Sequence, residues 1–169
     1  MKNTLKITIF LAVIACLSGL SIGIVNSFTA PIINENAIAA EKENLEGIFP
    51  GGDFVSKDYK DDEGIIVGVY EVTGKGYIFK ATAKGYNSST PIVTLIGMDN
   101  DGTIINVIPL TEQETSGVGT KCFEEENVSK LYIGKKVNES VDGITGATFT
   151  SKAMQEMISA AQSAFSEVK

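Results

Sequence analysis

An apolar run lies near the amino terminus of the sequence. No charged residue occurs from Ile7 to Ile33, and the part up to Val25 is almost wholly apolar or small. At 1.5 Å per residue this part alone spans roughly 30 Å, the thickness of the hydrocarbon core of a bilayer. The pattern predicts a transmembrane helix over residues 7–30, preceded by a short segment of residues 1–6.

Two other interpretations of this run stay open. Lys2 and Lys6 are typical of the basic start of a signal peptide, although the apolar part of such a peptide has only ~7 to 15 residues. Residues 13–16 faintly resemble a lipoprotein cleavage box, in which case Cys16 would carry a lipid. The length of the run favours a spanning helix over both.

The charges that flank the run predict its orientation. Lys2, Lys6 and the amino terminus precede it, whereas the segment after it is mostly acidic and has one lysine, Lys42. The acidic residues of that segment are Glu35, Glu41, Glu43 and Glu46. Because basic flanks stay on the cytoplasmic side, we expect a single-pass protein of the cell membrane, with residues 1–6 cytoplasmic and the domain extracytoplasmic.

After the run, the apolar positions follow the period of an amphipathic helix. The apolar stripe consists of Ile38, Leu45, Ile48 and Phe49. Pro50 and the two glycines after it end the pattern. The sequence therefore predicts a stalk helix over residues 31–50 and a folded domain over residues 51–169.

The domain begins with four runs that are rich in Ile, Val, Tyr and Thr and are separated by short links. The runs are 65–72, 77–83, 91–98 and 103–110. Such runs with glycine-containing links are typical of antiparallel hairpins. Helices are expected over residues 122–131 and 150–168. Strands followed by helices predict an α+β fold, with one compact antiparallel-sheet domain and a C-terminal helix behind the membrane and stalk helices.

The composition excludes several kinds of site. The chain has no His, and all 14 of its cationic residues are lysines. It therefore lacks a His-based catalytic system and a His-containing zinc or haem site, and we expect neither a metal site nor a catalytic residue. The formal net charge is −7, which argues against nucleic acid as a partner because phosphate neutralisation supplies most of that affinity.

The most unusual segment immediately precedes the last predicted helix. It reads Asp142-Gly143-Ile144-Thr145-Gly146-Ala147-Thr148-Phe149-Thr150-Ser151. Its small residues leave the backbone open to a bulky partner, and Thr148, Thr150 and Ser151 stand where helix-capping hydroxyls stand. A helix N-terminus stabilises a phosphate through its free N–H groups and its dipole. An ordinary glycine turn with a helix cap is the alternative.

The first seven residues of this segment resemble the D-x-x-(S/T)-G-A-T flavinylation motif of the FMN-binding domain family. That family includes the G component of the Rnf electron-transport complex and the C component of the sodium-pumping NADH:quinone reductase. In it the last Thr of the motif carries FMN through a phosphoester, so the resemblance implies covalent FMN on Thr148. It also implies cofactor contacts from the neighbouring residues Thr145, Gly146, Ala147, Thr150 and Ser151.

A second pattern of that family, close to E-T-P-G-L-G with a following Lys, lies before the 122–131 helix. Here it reads Glu114-Thr115-Ser116-Gly117-Val118-Gly119-Thr120-Lys121. Ser116 replaces the usual Pro and Val118 the usual Leu, but both glycines remain. The resemblance implies flavin contacts from Glu114, Thr115, Gly117, Val118, Gly119 and Lys121. Tyr132 and Phe149 are aromatic candidates for the flanks of the flavin, with a place in the core as the alternative.

The resemblance implies an electron-carrying subunit of a membrane complex that couples ferredoxin:NAD electron transfer to Na⁺ or H⁺ translocation. The G component of Rnf is the more similar relative, because it also has one amino-terminal span and a short stalk. The implied partners are the other membrane, iron–sulfur and flavin subunits. A protein like the C component of the sodium-pumping NADH:quinone reductase, an FMN-bearing reductase with a fused catalytic unit and a flavin-free anchored scaffold protein stay open as alternatives.

Attachment of the cofactor requires a further partner. A threonine hydroxyl with no base beside it is a weak nucleophile. The resemblance implies a Mg²⁺-dependent transferase that uses FAD as donor, puts the FMN moiety on Thr148 and releases AMP. Asp142 would then be recognised by the transferase, or would merely cap a local turn.

Overall fold

The computed structural model describes the backbone of residues 2–111 and 113–169, and the side chains of residues 6–24, 41–111 and 113–169. The described residues form three α-helices and five β-strands. In chain order the elements are α1 Lys2–Ile48, β1 Phe54–Lys57, β2 Ile66–Val72, β3 Gly76–Ala83, β4 Ile92–Asp99, β5 Ile104–Thr111, a 3₁₀ turn Gly119–Phe123, α2 Glu125–Leu131 and α3 Thr148–Val168. The chain divides into two compact units, one up to Lys42 and one from Glu43 to Lys169.

The first unit consists of the part of α1 up to Lys42. Its stretch Lys6–Ile24 has a mean hydropathy of 2.4 and is, among the described residues, the one segment long and apolar enough to cross a membrane. Large apolar side chains of this stretch are exposed, as expected for contact with lipid. The helix is continuous across Pro31, where the sequence predicts two helices, because a proline removes one helical hydrogen bond without always ending the helix. The domain boundaries at residues 30 and 50 stay predictions.

All five strands form one antiparallel sheet in the order of the chain. The four predicted strands are confirmed, with ends that differ by one residue. The pattern of the sequence does not predict β1, a strand of four residues at the edge of the sheet. Three of its side chains are exposed, so it lacks the apolar alternation by which a half-buried strand is recognised.

The sheet buries apolar side chains on both faces. One face packs against α2 and α3 in the larger core cluster, which includes Phe79 and Met157. The other face packs against the end of α1 through Leu45 and Ile48. Gly97 makes room for this contact, because a Cβ at that position would collide with the Ile48 side chain. The end of the predicted stalk helix therefore belongs to the compact unit of the domain.

The helices after the sheet differ from the prediction at their ends. The predicted 122–131 helix is divided into the 3₁₀ turn and α2, because Glu124 between them has an extended backbone with ψ 135°. Glu125 and Glu126 then lie in the first turn of α2, where negative charge is favourable. Helix α3 begins at Thr148, two residues earlier than predicted. Its first turn therefore includes the last residue of the 142–148 segment.

Candidate functional site

Three segments meet at the start of α3, namely the loop after β3, the loop before the 3₁₀ turn and residues 142–147. Between them lies a cavity of about 360 Å³, within the range of roughly 300–1,000 Å³ found for ligand pockets. It is lined by Tyr86, Thr115, Val118, Gly119, Gly146, Ala147, Thr148, Phe149 and Thr150. None of these described residues is charged, so the walls favour an uncharged or aromatic ligand group over a metal ion.

Thr148 is the first residue of α3, and its side chain is exposed at the wall of the cavity. Ala147 holds the N-cap position and has no side-chain oxygen with which to cap the helix. The prediction that Thr148, Thr150 and Ser151 cap the helix is wrong, because all three lie inside its first turn. The first N–H groups of an uncapped helix need another acceptor. In α3 these N–H groups lie next to the exposed Thr148 hydroxyl, and this arrangement is suitable for binding a phosphate.

The turn before Thr148 depends on Gly146. Its φ is +89°, a backbone conformation that other residues rarely adopt. The turn is closed by a hydrogen bond of 3.0 Å that the Ala147 N–H donates to the Ile144 carbonyl. A Cβ at Gly146 would have no atom within 4 Å. Glycine is therefore required here by the backbone conformation, and the space beside Thr148 stays open.

Ser151 does not line the cavity but fixes the segment before α3. Its Oγ accepts a hydrogen bond of 2.9 Å from the Ile144 N–H and lies 3.6 Å from the Cys122 Sγ. Both Ser151 and Cys122 are buried, and this burial raises the pKa of the Cys122 thiol. Ser151 is thus a positioning residue, and Cys122 is a core residue.

A buried carboxylate joins two of these loops to α3. Glu114 is only 8% exposed. Its Oε2 accepts hydrogen bonds from the Thr150 hydroxyl at 2.6 Å and the Tyr86 N–H at 3.2 Å, and its Oε1 accepts one from the Asn87 N–H at 3.3 Å. A buried charge requires such donors. The Glu114 side chain therefore holds the loop after β3 and the first turn of α3 against its own loop.

Two glycines make room for the Glu114 carboxylate. A Cβ at Gly85 would collide with the Glu114 Oε1. A Cβ at Gly119 would lie 2.6 Å from the Glu114 Oε2 and 2.8 Å from the Thr150 Oγ1. Because real Cβ atoms do not approach so closely, a side chain at either position would displace the carboxylate.

The remainder of the 114–121 loop is held by its own hydrogen bonds. The Val118 N–H donates to the Thr115 carbonyl at 3.1 Å, and the Gly117 N–H donates to the Thr120 hydroxyl at 2.9 Å. Thr115 and Val118 line the cavity, whereas Gly117 and Lys121 do not. Lys121 is exposed, so the described residues of the cavity wall include no lysine.

Two aromatic side chains border the cavity. The ring centroids of Tyr86 and Phe149 are 6.0 Å apart, and the ring planes are inclined by 57°. The sequence indicates Phe149 but not Tyr86 as a candidate beside the flavin, because only the fold brings the loop after β3 to α3. Tyr132, the other aromatic candidate, lies in the core and does not flank the cavity. It is 1% exposed and contacts Cys122, and burial raises its pKa.

Two segments of the chain match known protein families. Residues 85–163 match the model of the FMN-binding domain, and residues 1–48 match that of the RnfG N-terminal region. The chain is an RnfG-like FMN-binding protein. No curated protein matches it. The FMN-binding match includes every residue that lines the cavity.

The described residues of this RnfG-like protein fit the phosphate end of FMN. An exposed hydroxyl on Thr148, an uncapped helix start and open space beside Gly146 lie together at one wall. The helix start supplies N–H donors and partial positive charge, which compensates for the absence of a lysine among the described residues of the wall. FMN is thus compatible with the local chemistry as well as with the family match.

The structure separates the predicted site residues into three groups. Seven line the cavity, namely Thr115, Val118, Gly119, Gly146, Ala147, Thr148 and Thr150. Glu114 and Ser151 are buried and hold the segments that form the cavity. The others are not buried and do not line it, namely Asp142, Thr145, Gly117 and Lys121. The functional roles of all of these residues stay predictions.

A second cavity of the FMN-binding domain is larger, at about 560 Å³, and lies between the 59–65 loop and α3. Many of its lining residues are charged, and the Tyr59 hydroxyl donates to the Glu167 Oε2 at 3.1 Å. Among the described residues, no group of three potential His, Cys, Asp or Glu ligands could hold a metal ion. This cavity includes no residue of the flavinylation motif, so the smaller cavity is the candidate site.

Proposed function

We propose that this RnfG-like protein is the electron-carrying flavin subunit of an Rnf-type membrane complex and that its FMN is attached to Thr148 through a phosphoester. The two family matches support a flavin subunit of this kind. One observation carries the attachment site. The exposed Thr148 side chain lies at the uncapped start of α3, on the wall of the candidate cavity.

The residues of the chain bind and position the cofactor. FMN, when bound, supplies the redox chemistry. The first N–H groups of α3 stabilise the charge of the phosphodiester, and Gly146 leaves the approach to Thr148 open. A covalent bond prevents loss of the cofactor on the side of the membrane where free FMN is scarce. The protein thus acts as a fixed electron carrier without a substrate pocket of its own.

The attachment step requires a partner enzyme. The described residues that line the cavity include no His, carboxylate or lysine, so the Thr148 hydroxyl has no general base at that wall. We assign the step to a Mg²⁺-dependent transferase with FAD as donor. The bond from the Thr148 Oγ to the FMN phosphorus forms, the phosphoanhydride bond of FAD breaks, AMP leaves, and the hydroxyl proton passes to a base of the transferase. Asp142, which is exposed, is the proposed recognition residue.

The proposed complex couples ferredoxin:NAD electron transfer to the translocation of Na⁺ or H⁺. Its other iron–sulfur and flavin subunits donate electrons to this protein and accept them from it. The RnfG N-terminal match supports membership of such a complex. Reduction of NAD by reduced ferredoxin in membranes that contain the protein distinguishes this assignment from a quinone-reductase subunit.

The membrane orientation follows from the lysines before the span. With Lys2 and Lys6 on the cytoplasmic side, the FMN-binding domain lies outside the cytoplasm. A protease added to intact cells, or to spheroplasts where an outer layer blocks access, is expected to digest the domain. Complete protection of the domain, with digestion only after lysis, would reverse the orientation.

The attachment site is tested by replacement of the hydroxyl. The full chain is coexpressed with the transferase, and covalent FMN is measured by intact mass and by peptide mapping. Thr148→Val is expected to lose covalent FMN completely, and Thr148→Ser to retain it because the hydroxyl remains. Thermal unfolding of the three proteins provides the control for folding.

Two outcomes would contradict the proposal. Wild-type amounts of covalent FMN in a folded Thr148→Val protein would place the attachment at another residue. Wild-type protein that carries no FMN after coexpression would favour the flavin-free anchored scaffold.

A further inference from the structure

We propose that Tyr86 and Phe149 form the wall against which the isoalloxazine ring of FMN packs. This inference rests on the proposed attachment of FMN to Thr148 and assigns the ring end of the same cofactor. It gives a ligand contact to Tyr86, which lies outside the two family patterns that imply cofactor contacts.

The exposure of the two rings is the first observation. The Tyr86 side chain is 66% exposed and the Phe149 side chain is 64% exposed, although large aromatic side chains contribute most to stability when buried. The two rings contact each other, and Val118 beside the same cavity is also exposed. Adjacent exposed apolar groups around a cavity are typical of a ligand surface, whereas scattered single ones are not.

One oxygen atom holds the backbone beside both rings. The Glu114 Oε2 accepts a hydrogen bond from the Tyr86 N–H and another from the hydroxyl of Thr150, the residue after Phe149. The backbone that carries each ring is therefore held by the same buried carboxylate. This arrangement sets the backbone positions of both aromatic residues before a ligand arrives, which lowers the entropic cost of binding.

The position of the pair relative to Thr148 is suitable for a tethered ring. Phe149 follows Thr148 directly on α3, and Tyr86 lies on a different segment that borders the same cavity. Gly146 places no side chain in the space beside Thr148. The lining residues are uncharged, as suits an aromatic ring system. A ring attached through the Thr148 phosphate thus has an open approach to both aromatic side chains.

The angle between the two rings predicts how they share the contact. Because their planes are inclined by 57°, a flat ring system cannot stack face to face on both. One ring of the pair stacks on the isoalloxazine and the other contacts it at an angle, and both arrangements are favourable between aromatic groups. The two side chains therefore form a corner, and removal of either ring loosens the contact.

The experiment measures the fluorescence of covalently attached FMN. A phenol in contact with a photo-excited flavin donates one electron to it, and the electron then returns, so the emission is quenched without net reaction. A phenylalanine ring does not donate in this way. Full-length protein is coexpressed with the transferase, covalent FMN at Thr148 is quantified by peptide mass, and emission per attached FMN is measured before and after unfolding.

The expected result is a strong increase in wild-type emission on unfolding. Tyr86→Phe should be several-fold brighter than wild type when folded, and equal to it when unfolded. Phe149→Leu should show fast local motion of the flavin in time-resolved anisotropy, because one side of the corner is lost. Tyr59→Phe is the matched control and should behave as wild type, since Tyr59 lines the other cavity.

The outcomes separate this inference from the proposed attachment. Covalent FMN at Thr148 with equal folded emission in wild type and Tyr86→Phe, and with unchanged anisotropy in Phe149→Leu, would overturn the aromatic wall alone. Absence of FMN from the Thr148 peptide of the wild type would overturn the attachment and the wall together. If Tyr86→Phe accepts no FMN, Phe149→Tyr decides, because it should be dimmer than wild type and equal brightness would overturn the wall.

Discussion

Helix α3 borders two cavities whose walls differ in chemistry. The larger one, about 560 Å³, is lined by charged side chains of both signs, such as Asp62, Lys152 and Glu156. The smaller one, about 360 Å³, is lined by uncharged residues and includes Thr148. Cavity size therefore does not locate the proposed flavin site. An exposed hydroxyl next to uncapped helix N–H groups does, because these are the groups that a phosphoester requires.

The described residues beside each cavity include a carboxylate that accepts at least three hydrogen bonds. The donors to Asp61 are backbone N–H groups two to five residues away in the chain. The donors to Glu114 are 27 to 36 residues away. Asp61 therefore shapes its own loop, whereas Glu114 assembles a site from distant segments. Replacement of each carboxylate by its amide tests this difference.

The largest effect is expected for Glu114→Gln. The amide replaces one acceptor oxygen by a donor, so at least one of the buried N–H and hydroxyl groups that face it loses its acceptor. We expect the free energy of unfolding to fall by about 3 kcal/mol, since each buried unsatisfied group costs ~1–3 kcal/mol. Attachment of FMN should become slower as well. Urea unfolding and the time course of intact mass measure the two effects.

Glu167→Gln is the matched control at the larger cavity. Glu167 is exposed, so its replacement should change the free energy of unfolding by less than about 0.5 kcal/mol and leave FMN attachment unchanged. Equal behaviour of Glu114→Gln and Glu167→Gln would show that Glu114 does not hold the site together.

A smaller effect is expected for Asp61→Asn. The backbone N–H groups, of Ile66 above all, hold the pKa of Asp61 below its ordinary value of 3.8. Because the folded pKa is lower than the unfolded pKa, the charged side chain stabilises the fold above pH 3.8, and this stabilisation is lost as the pH falls through the folded pKa. At neutral pH we expect a loss of about 1 kcal/mol in the variant.

Unfolding curves of wild type and Asp61→Asn as a function of pH check this prediction. The difference between them should shrink as the pH falls below 3.8, while covalent FMN stays at the wild-type level. If the difference in the free energy of unfolding did not change with pH, the effect of Asp61→Asn would result from altered packing and hydrogen bonding instead of the lost charge. A loss of FMN would show that the two cavities are coupled.

The sheet could be predicted from the sequence because its strands are encoded locally. β2 to β5 carry runs of β-branched residues between short glycine links, and these signals need no distant partner. β1 could not be predicted, because Val55, Ser56 and Lys57 are exposed at the sheet edge. The sequence predicts the start of α3 two residues too late. The hydroxyl residues there resemble helix caps, but in the fold they bind other partners, as the Thr150 hydroxyl does with Glu114.

The candidate site was only partly predictable for a related reason. Thr148 is recognisable from the motif around it, since the small residues and the helix start are contiguous in the chain. Nothing next to Tyr86 in the sequence indicates a cofactor contact. Its place at the cavity depends on a hydrogen bond to Glu114, which lies 28 residues away in the chain. Tyr132 shows the converse, since an aromatic residue close to a helix end in sequence is buried in the core.

The order of the sheet has a consequence for the maturation of the protein. Each strand pairs with its neighbour in the chain, and all five precede Thr148. Hairpins between sequence neighbours form sooner than contacts between remote segments, and chains fold from the amino terminus as they are synthesised. All five strands are therefore synthesised before the proposed acceptor Thr148, so that their pairing can precede cofactor loading.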